Sequence, residues 1–126
     1  MRTNAGRDWQ AKVMGDTASN ATGAYAPATY IGLTANNTAP NAADVSLTGE
    51  IAVGTLSRAQ AVYAHTNGTA TYTLTKTFTS DQTVTVSKLG VFTASAGGTM
   101  AFESLLNQPA ALLSGDQVVI TFTVTL

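Results

Sequence analysis

Residues Val118–Leu126 read VVITFTVTL, and the fold turns on this stretch. Val118, Ile120, Phe122, Val124 and Leu126 share one parity. Thr121, Thr123 and Thr125 share the other, with Val119 the one apolar residue among them. A strand projects successive side chains to opposite faces, so period two means a buried face backed by a threonine-lined one. Threonine is β-branched and suits a pleated surface without adding much apolar area. Unclamped, a strand of this length would fray and expose five large apolar groups. We therefore expect a central strand of an antiparallel, all-β domain.

Working back from that strand, the same pattern recurs. Asn107–Ser114 reads as a connection containing Pro109, and Met100–Leu105 as a short strand with Met100 and Phe102 in phase. Thr83–Ala94 changes phase: Val84 and Val86 lie on one parity, Leu89 and Val91 on the other. One extra residue near Ser87–Lys88, a β-bulge, restores consistency. Ala70–Thr79 places Tyr72, Leu74, Lys76 and Phe78 against a ladder of five threonines. Asn67-Gly68 ahead of it predicts a tight hairpin with positive φ at both central residues, and Leu56–Thr66 reads as one strand leading into that turn. Thr29–Ala35 is the first strand. A long connection with Asn and Pro turn chemistry follows it, plugged at Leu47 and Ile51. About six strands at roughly ten-residue spacing describe an antiparallel β-sandwich or jelly-roll-like single domain over residues 29–126.

Ahead of that domain stand an arm, residues 1–20, and a linker of small and polar residues, 21–28. Ala5, Trp9 and Val13 recur at helical spacing, with Asn4 as N-terminal cap and Gly15 as terminator of a short helix. The arm holds the only Trp and two of the three Arg, Arg2 and Arg7. Arg and Trp are enriched at interface hot spots, so Arg2, Arg7 and Trp9 are the candidate partner-binding residues, touching a neighbouring subunit or another partner.

Composition narrows the function by exclusion. The 126 residues are 44% hydrophobic but only 10% charged, with a net charge of −1, far below the usual quarter charged. Neither nucleic acid nor an anionic membrane is a partner implied by such a balance. There is no cysteine, so disulfides and thiolate metal sites drop out. No apolar run approaches a membrane span, and Met1–Gly15 lacks the apolar core of a signal peptide.

Catalytic chemistry has little to stand on. His65 is the sole histidine, no Gly-x-Ser-x-Gly elbow presents a serine, and the Asp residues fall in caps and turns, where they bond their own backbone. No acidic cluster has the spacing of a calcium loop. The expectation is a protein that is not an enzyme and holds no metal or cofactor. A sugar-binding platform needs aromatics on one sheet face, whereas Tyr25, Tyr30, Tyr63 and Tyr72 sit at mixed parities. Two charges stand alone in neutral runs, Glu50 in LTGEI and Arg58 in LSRA. They read as a partly buried ion pair that fixes a loop register.

Asn4–Asp8 (NAGRD), Tyr30–Thr34 (YIGLT), Ala39–Ile51 (APNAADVSLTGEI), Leu56–Ala59 (LSRA) and the threonine-rich hairpin together resemble small tailed-bacteriophage virion structural proteins of the capsid decoration (cement) or tail-associated type. That resemblance implies a non-enzymatic protein that decorates and stabilises the capsid, made in the host cytoplasm and carried on the capsid surface. It implies a homotrimer bound to the major capsid protein or another virion protein. The alternative it implies is a tail-fibre or baseplate component with a receptor-binding or adaptor role. Leu47, Glu50 and Arg58 carry over as scaffold residues.

Overall fold

The structure, a computed structural model, describes residues 1–16 and 25–126. Residues 17–20 of the arm and 21–24 of the linker lie outside the described residues. In chain order come a helix, α1 (Asn4–Gly15), and seven strands: β1 (Tyr30–Thr34), β2 (Ala59–Gln60), β3 (Val62–His65), β4 (Thr71–Thr79), β5 (Val84–Phe92), β6 (Met100–Leu112) and β7 (Gln117–Thr125). One sheet runs β2-β1-β5-β6 and the other β3-β4-β7, with every pairing antiparallel. The two form a β-sandwich. Ile31, Leu33, Leu56, Leu74, Phe78, Val86 and Val91 are buried within it.

The alternation in Val118–Leu126 holds: Ile120 and Val124 are buried, while Thr121, Thr123 and Thr125 are exposed. Its position does not. β7 pairs with β4 alone and is the outer strand of its sheet. Period two reports which face is covered and is silent on how many neighbours a strand has. Phe122 is accordingly only half-buried, its ring tilted 53° against that of Phe102 at 5.5 Å between centroids.

Leu56–Thr66 is not one strand. β2 belongs to the first sheet and β3 to the second, and the chain crosses between layers at Ala61, which is itself buried. The Asn67-Gly68 hairpin forms, but Asn67 has no positive φ, and Gly68 alone has one, 85°. Thr69 N–H donates to the Thr66 carbonyl at 3.1 Å, so Gly68 occupies the third position of a four-residue turn, where positive φ is required in type II. The pairing of β3 with β4 ends at His65 and Tyr72, which leaves room for this longer loop.

The register irregularity does fall between Val86 and Lys88, opposite Ala110 and Leu105. The surplus residues, however, are on β6, which runs through the expected connection as far as Leu112. Pro109 lies in that surplus; it has no N–H to give a ladder, and strands tolerate proline at bulges and edges.

The cap of α1 is Thr3 rather than Asn4: Thr3 Oγ1 accepts from Gly6 N at 2.9 Å. Gly15 is the last helical residue and Asp16 the cap. Met1–Thr3 lie along the edge of β6. Glu103 N donates to the Met1 carbonyl at 2.8 Å and Thr3 N to the Ala101 carbonyl at 3.1 Å, with Arg2 bridging Phe102. α1 then meets β6 at Gly6, where an added Cβ would lie 2.1 Å from the Ala101 carbonyl oxygen. Only glycine lets the two backbones approach this closely.

Candidate functional site

Three places gather chemistry. The first is built on the long connection after β1. Thr34 is fully buried and its hydroxyl donates to the Thr48 and Gly49 carbonyls at 2.8 and 3.0 Å, pinning the loop's return. Glu50 is thereby held over β1. Arg58 reaches it with a two-pronged grip, Nε to Oε2 at 2.8 Å and Nη2 to Oε1 at 2.7 Å. The other nitrogen, Nη1, donates to the carbonyls of Ala94 at 3.1 Å and Gly97 at 2.8 Å. The guanidinium also stacks on Phe92, 3.4 Å from the ring centroid. Gly32 makes the space: a Cβ there would come 2.5 Å from Glu50 Oε2. Planar, five-donor arginine fits this set of acceptors as lysine cannot. The cluster joins three loops, with all three guanidinium nitrogens engaged.

The second is a buried charge pair that sequence reasoning missed. Lys88 Nζ lies 3.0 Å from Glu103 Oε1 and also donates to Asn36 Oδ1 at 3.3 Å and the Thr38 carbonyl at 3.0 Å. Glu103 Oε2 is buried without a hydrogen-bond partner. Burial pushes the Glu103 carboxyl above its ordinary value, Asp44 adds to the rise, and Lys88 opposes it. The pair closes the first sheet against the connection after β1.

The third lies between α1 and the second sheet. Trp9, Val13, Tyr25, Pro27, Tyr63 and Tyr72 line a pocket of about 190 Å³. Tyr63 and Tyr72 stand 5.5 Å apart, and Lys12 Nζ sits 5.6 Å from the Tyr25 ring centroid. Burial raises the Tyr72 hydroxyl's pKa, Tyr63 adds to that, and Arg2 pulls the other way. Parity along the sequence gave no sign of this cluster, because Trp9 and Tyr25 come to it from outside the strands.

The arm residues divide. Arg7 is exposed on α1 and Arg2 is half-buried, with its Nε enclosed and lacking a hydrogen-bond partner. Trp9 packs against the main core and donates Nε1–H to the Ala26 carbonyl at 2.9 Å, so much of its surface is already used within the chain. His65 is exposed at the end of β3, its Nδ1 2.8 Å from the Thr71 carbonyl. Asp44 and Asp116 accept from backbone N–H groups of their own turns. Among the described residues no three His, Asp or Glu side chains are grouped to hold a metal ion, and no helix is long and apolar enough to cross a membrane.

A family model described as Podophage GP4 fiber I protein gp80 matches residues 6–125. No curated protein matches the chain.

Proposed function

Since the chain belongs to the podophage GP4 fiber I protein gp80 family, and so to the structural proteins of the phage virion, we propose that it is a non-enzymatic subunit of a virion fibre. The family description, spanning residues 6–125, carries this reading. The molecule's chemistry supports it: the Arg58–Glu50 and Lys88–Glu103 pairs are both spent on joining loops to strands. The threonine-clad outer faces of β4 and β7 supply a neutral surface suited to packing among like subunits. In this proposal the subunit is anchored to another virion protein. Arg7, exposed on α1, and the half-buried Arg2 are the arm residues assigned to that contact in this proposal.

Receptor contact is the role the aromatic pocket favours within a fibre. Three tyrosines and the tryptophan around one recess present flat apolar faces of the kind on which a sugar ring stacks. Clamping the capsid shell is the second assignment, supported by the overall resemblance alone. Cryo-electron microscopy of virions carrying a tagged chain tests the first against the second. Density for the tag on projecting fibres supports the proposal; a regular lattice of tags over the shell overturns it.

A further inference from the structure

We propose that β7 is a self-association edge: two copies of this chain pair their β7 strands antiparallel about a twofold axis through Thr121. This goes beyond the fibre assignment and does not depend on it.

The outer edges of the two sheets are guarded unequally. β2 has two residues and β3 four. β6 is covered by Met1–Thr3 at one end and broken by the irregularity around Pro109 at the other. β7 has none of these defences. Nine consecutive residues pair with β4 without a register shift, no proline interrupts them, and no charge lies between Gln117 and Leu126. Among the described residues nothing pairs with their outer edge. Long, flat, uncharged edges are templates for another strand, and proteins that stay apart blunt them with lysine, proline or bulges.

Charge and register single out a second copy as the occupant. The strand is neutral, so pairing with itself buries no charge. Asp116 is the only charged residue after Glu103, and antiparallel pairing sets the two Asp116 side chains at opposite ends. They stand roughly 33 Å apart at about 3.3 Å per residue, well beyond the ~8 Å screening length. With Thr121 on the axis all nine residues find partners. On the core side Val118 meets the partner's Val124 and Ile120 the partner's Phe122; on the outer side Thr121 meets itself and Val119 the partner's Thr123. A slip by one residue would set core residues against outer ones. The pairing also brings apolar side chains to the opening between β6 and β7, a cleft of about 440 Å³ whose wall includes Leu105, Leu106, Val118 and Phe122.

The test uses the full chain, which has no cysteine of its own. In the proposed register Thr121→Cys places two thiols directly opposite, within disulfide reach, whereas Thr123→Cys leaves them four residues out of register. Both positions are exposed on the outer face, so neither substitution disturbs the core. The expected results are a solution mass of twice 12.9 kDa by light scattering, and oxidative cross-linking on the order of tenfold faster for Thr121→Cys than for Thr123→Cys. A monomer, a trimer, or equal rates for the two thiols overturns the proposal, and each leaves the fibre assignment standing.

Discussion

Lys88 and Glu103 meet at 3.0 Å with their side chains 3% and 1% exposed, an ion pair taken almost wholly out of water. They come from neighbouring strands, Lys88 opposite Leu105 and Glu103 opposite Gly90, so the contact is a diagonal one across the ladder. Such a pair is a weak source of net stability, because desolvating both charges offsets most of their attraction. Breaking it is another matter, since one charge is then left buried alone.

Lys88→Met should therefore destabilise the fold by about 3–5 kcal/mol, read from urea unfolding. Combined with Glu103→Gln the total should fall short of the sum of the single changes by about 0.5–3 kcal/mol. Strict additivity would mean that the two groups do not interact.

The pair also sets a pH dependence. Burial raises the Glu103 carboxyl above its ordinary value of 4.5, with Asp44 adding and Lys88 opposing, so the folded protein holds this proton more tightly than the unfolded chain does. Its contribution to stability is complete below the ordinary value and is lost as pH rises through the raised one. The stability of the unmodified chain relative to Glu103→Gln should accordingly shrink as pH rises from below the ordinary carboxylate range through the raised value. A difference that grows with pH would contradict the assignment.

Phe78 is 1% exposed, whereas Phe122 lines the open cleft between β6 and β7. Phe78→Ala should be the more damaging, by about 3–5 kcal/mol, with Phe122→Ala clearly below it. Thr123→Ala, on the exposed outer face, should change stability by about 0.5 kcal/mol or less. Chemical denaturation of the three variants gives the order directly.

Gly6→Ala sets two effects against each other. Alanine favours a helix over glycine by about 1 kcal/mol, but here its Cβ would lie 2.1 Å from a backbone oxygen of β6. Backbone cannot swing aside as a side chain can, and overpacking of this sort costs about 1–3 kcal/mol. The substitution should be destabilising, with faster amide exchange at Thr3 and Glu103, whose N–H groups bond across this contact.

Arg58→Lys keeps the charge and loses the fork. The two contacts to Glu50 collapse to one, and the carbonyls of Ala94 and Gly97 lose their shared donor. A loss of about 1–3 kcal/mol is expected, with exchange rising in residues 93–99. An unchanged loop would mean that the stack on Phe92 alone holds it.

Much of this architecture was legible in the residues themselves. Alternation marked the faces of β4 and β7, Ala5–Trp9–Val13 marked the helix, and two isolated charges in neutral runs marked Glu50 and Arg58. What failed to show depends on neighbours in space. Periodicity could not tell an outer strand from an inner one, so β7 and Phe122 were placed too deep. Ala61 carries no sign that the chain changes sheets there. Lys88 and Glu103 are fifteen positions apart, and only the β5–β6 register brings them together. The aromatic recess needed α1 laid beside the second sheet before Trp9 and Tyr63 could share a wall.

The pairing of β4 with β7, Thr71 opposite Thr125 and Thr79 opposite Gln117, has a consequence for how the chain is made. Every residue of β4 waits for a β7 partner between 38 (Thr79 to Gln117) and 54 (Thr71 to Thr125) positions further along the nascent chain, and β1 likewise waits for β5. Neither layer closes from a continuous piece of polypeptide, and the second sheet cannot reach its final form while β7 is still being synthesised. Assembly dominated by such distant pairings is slow, in the millisecond-to-second range typical of all-β sandwiches. During that interval the apolar sides of β4 and β5 stand uncovered, and a chaperone would find its longest-lived target there.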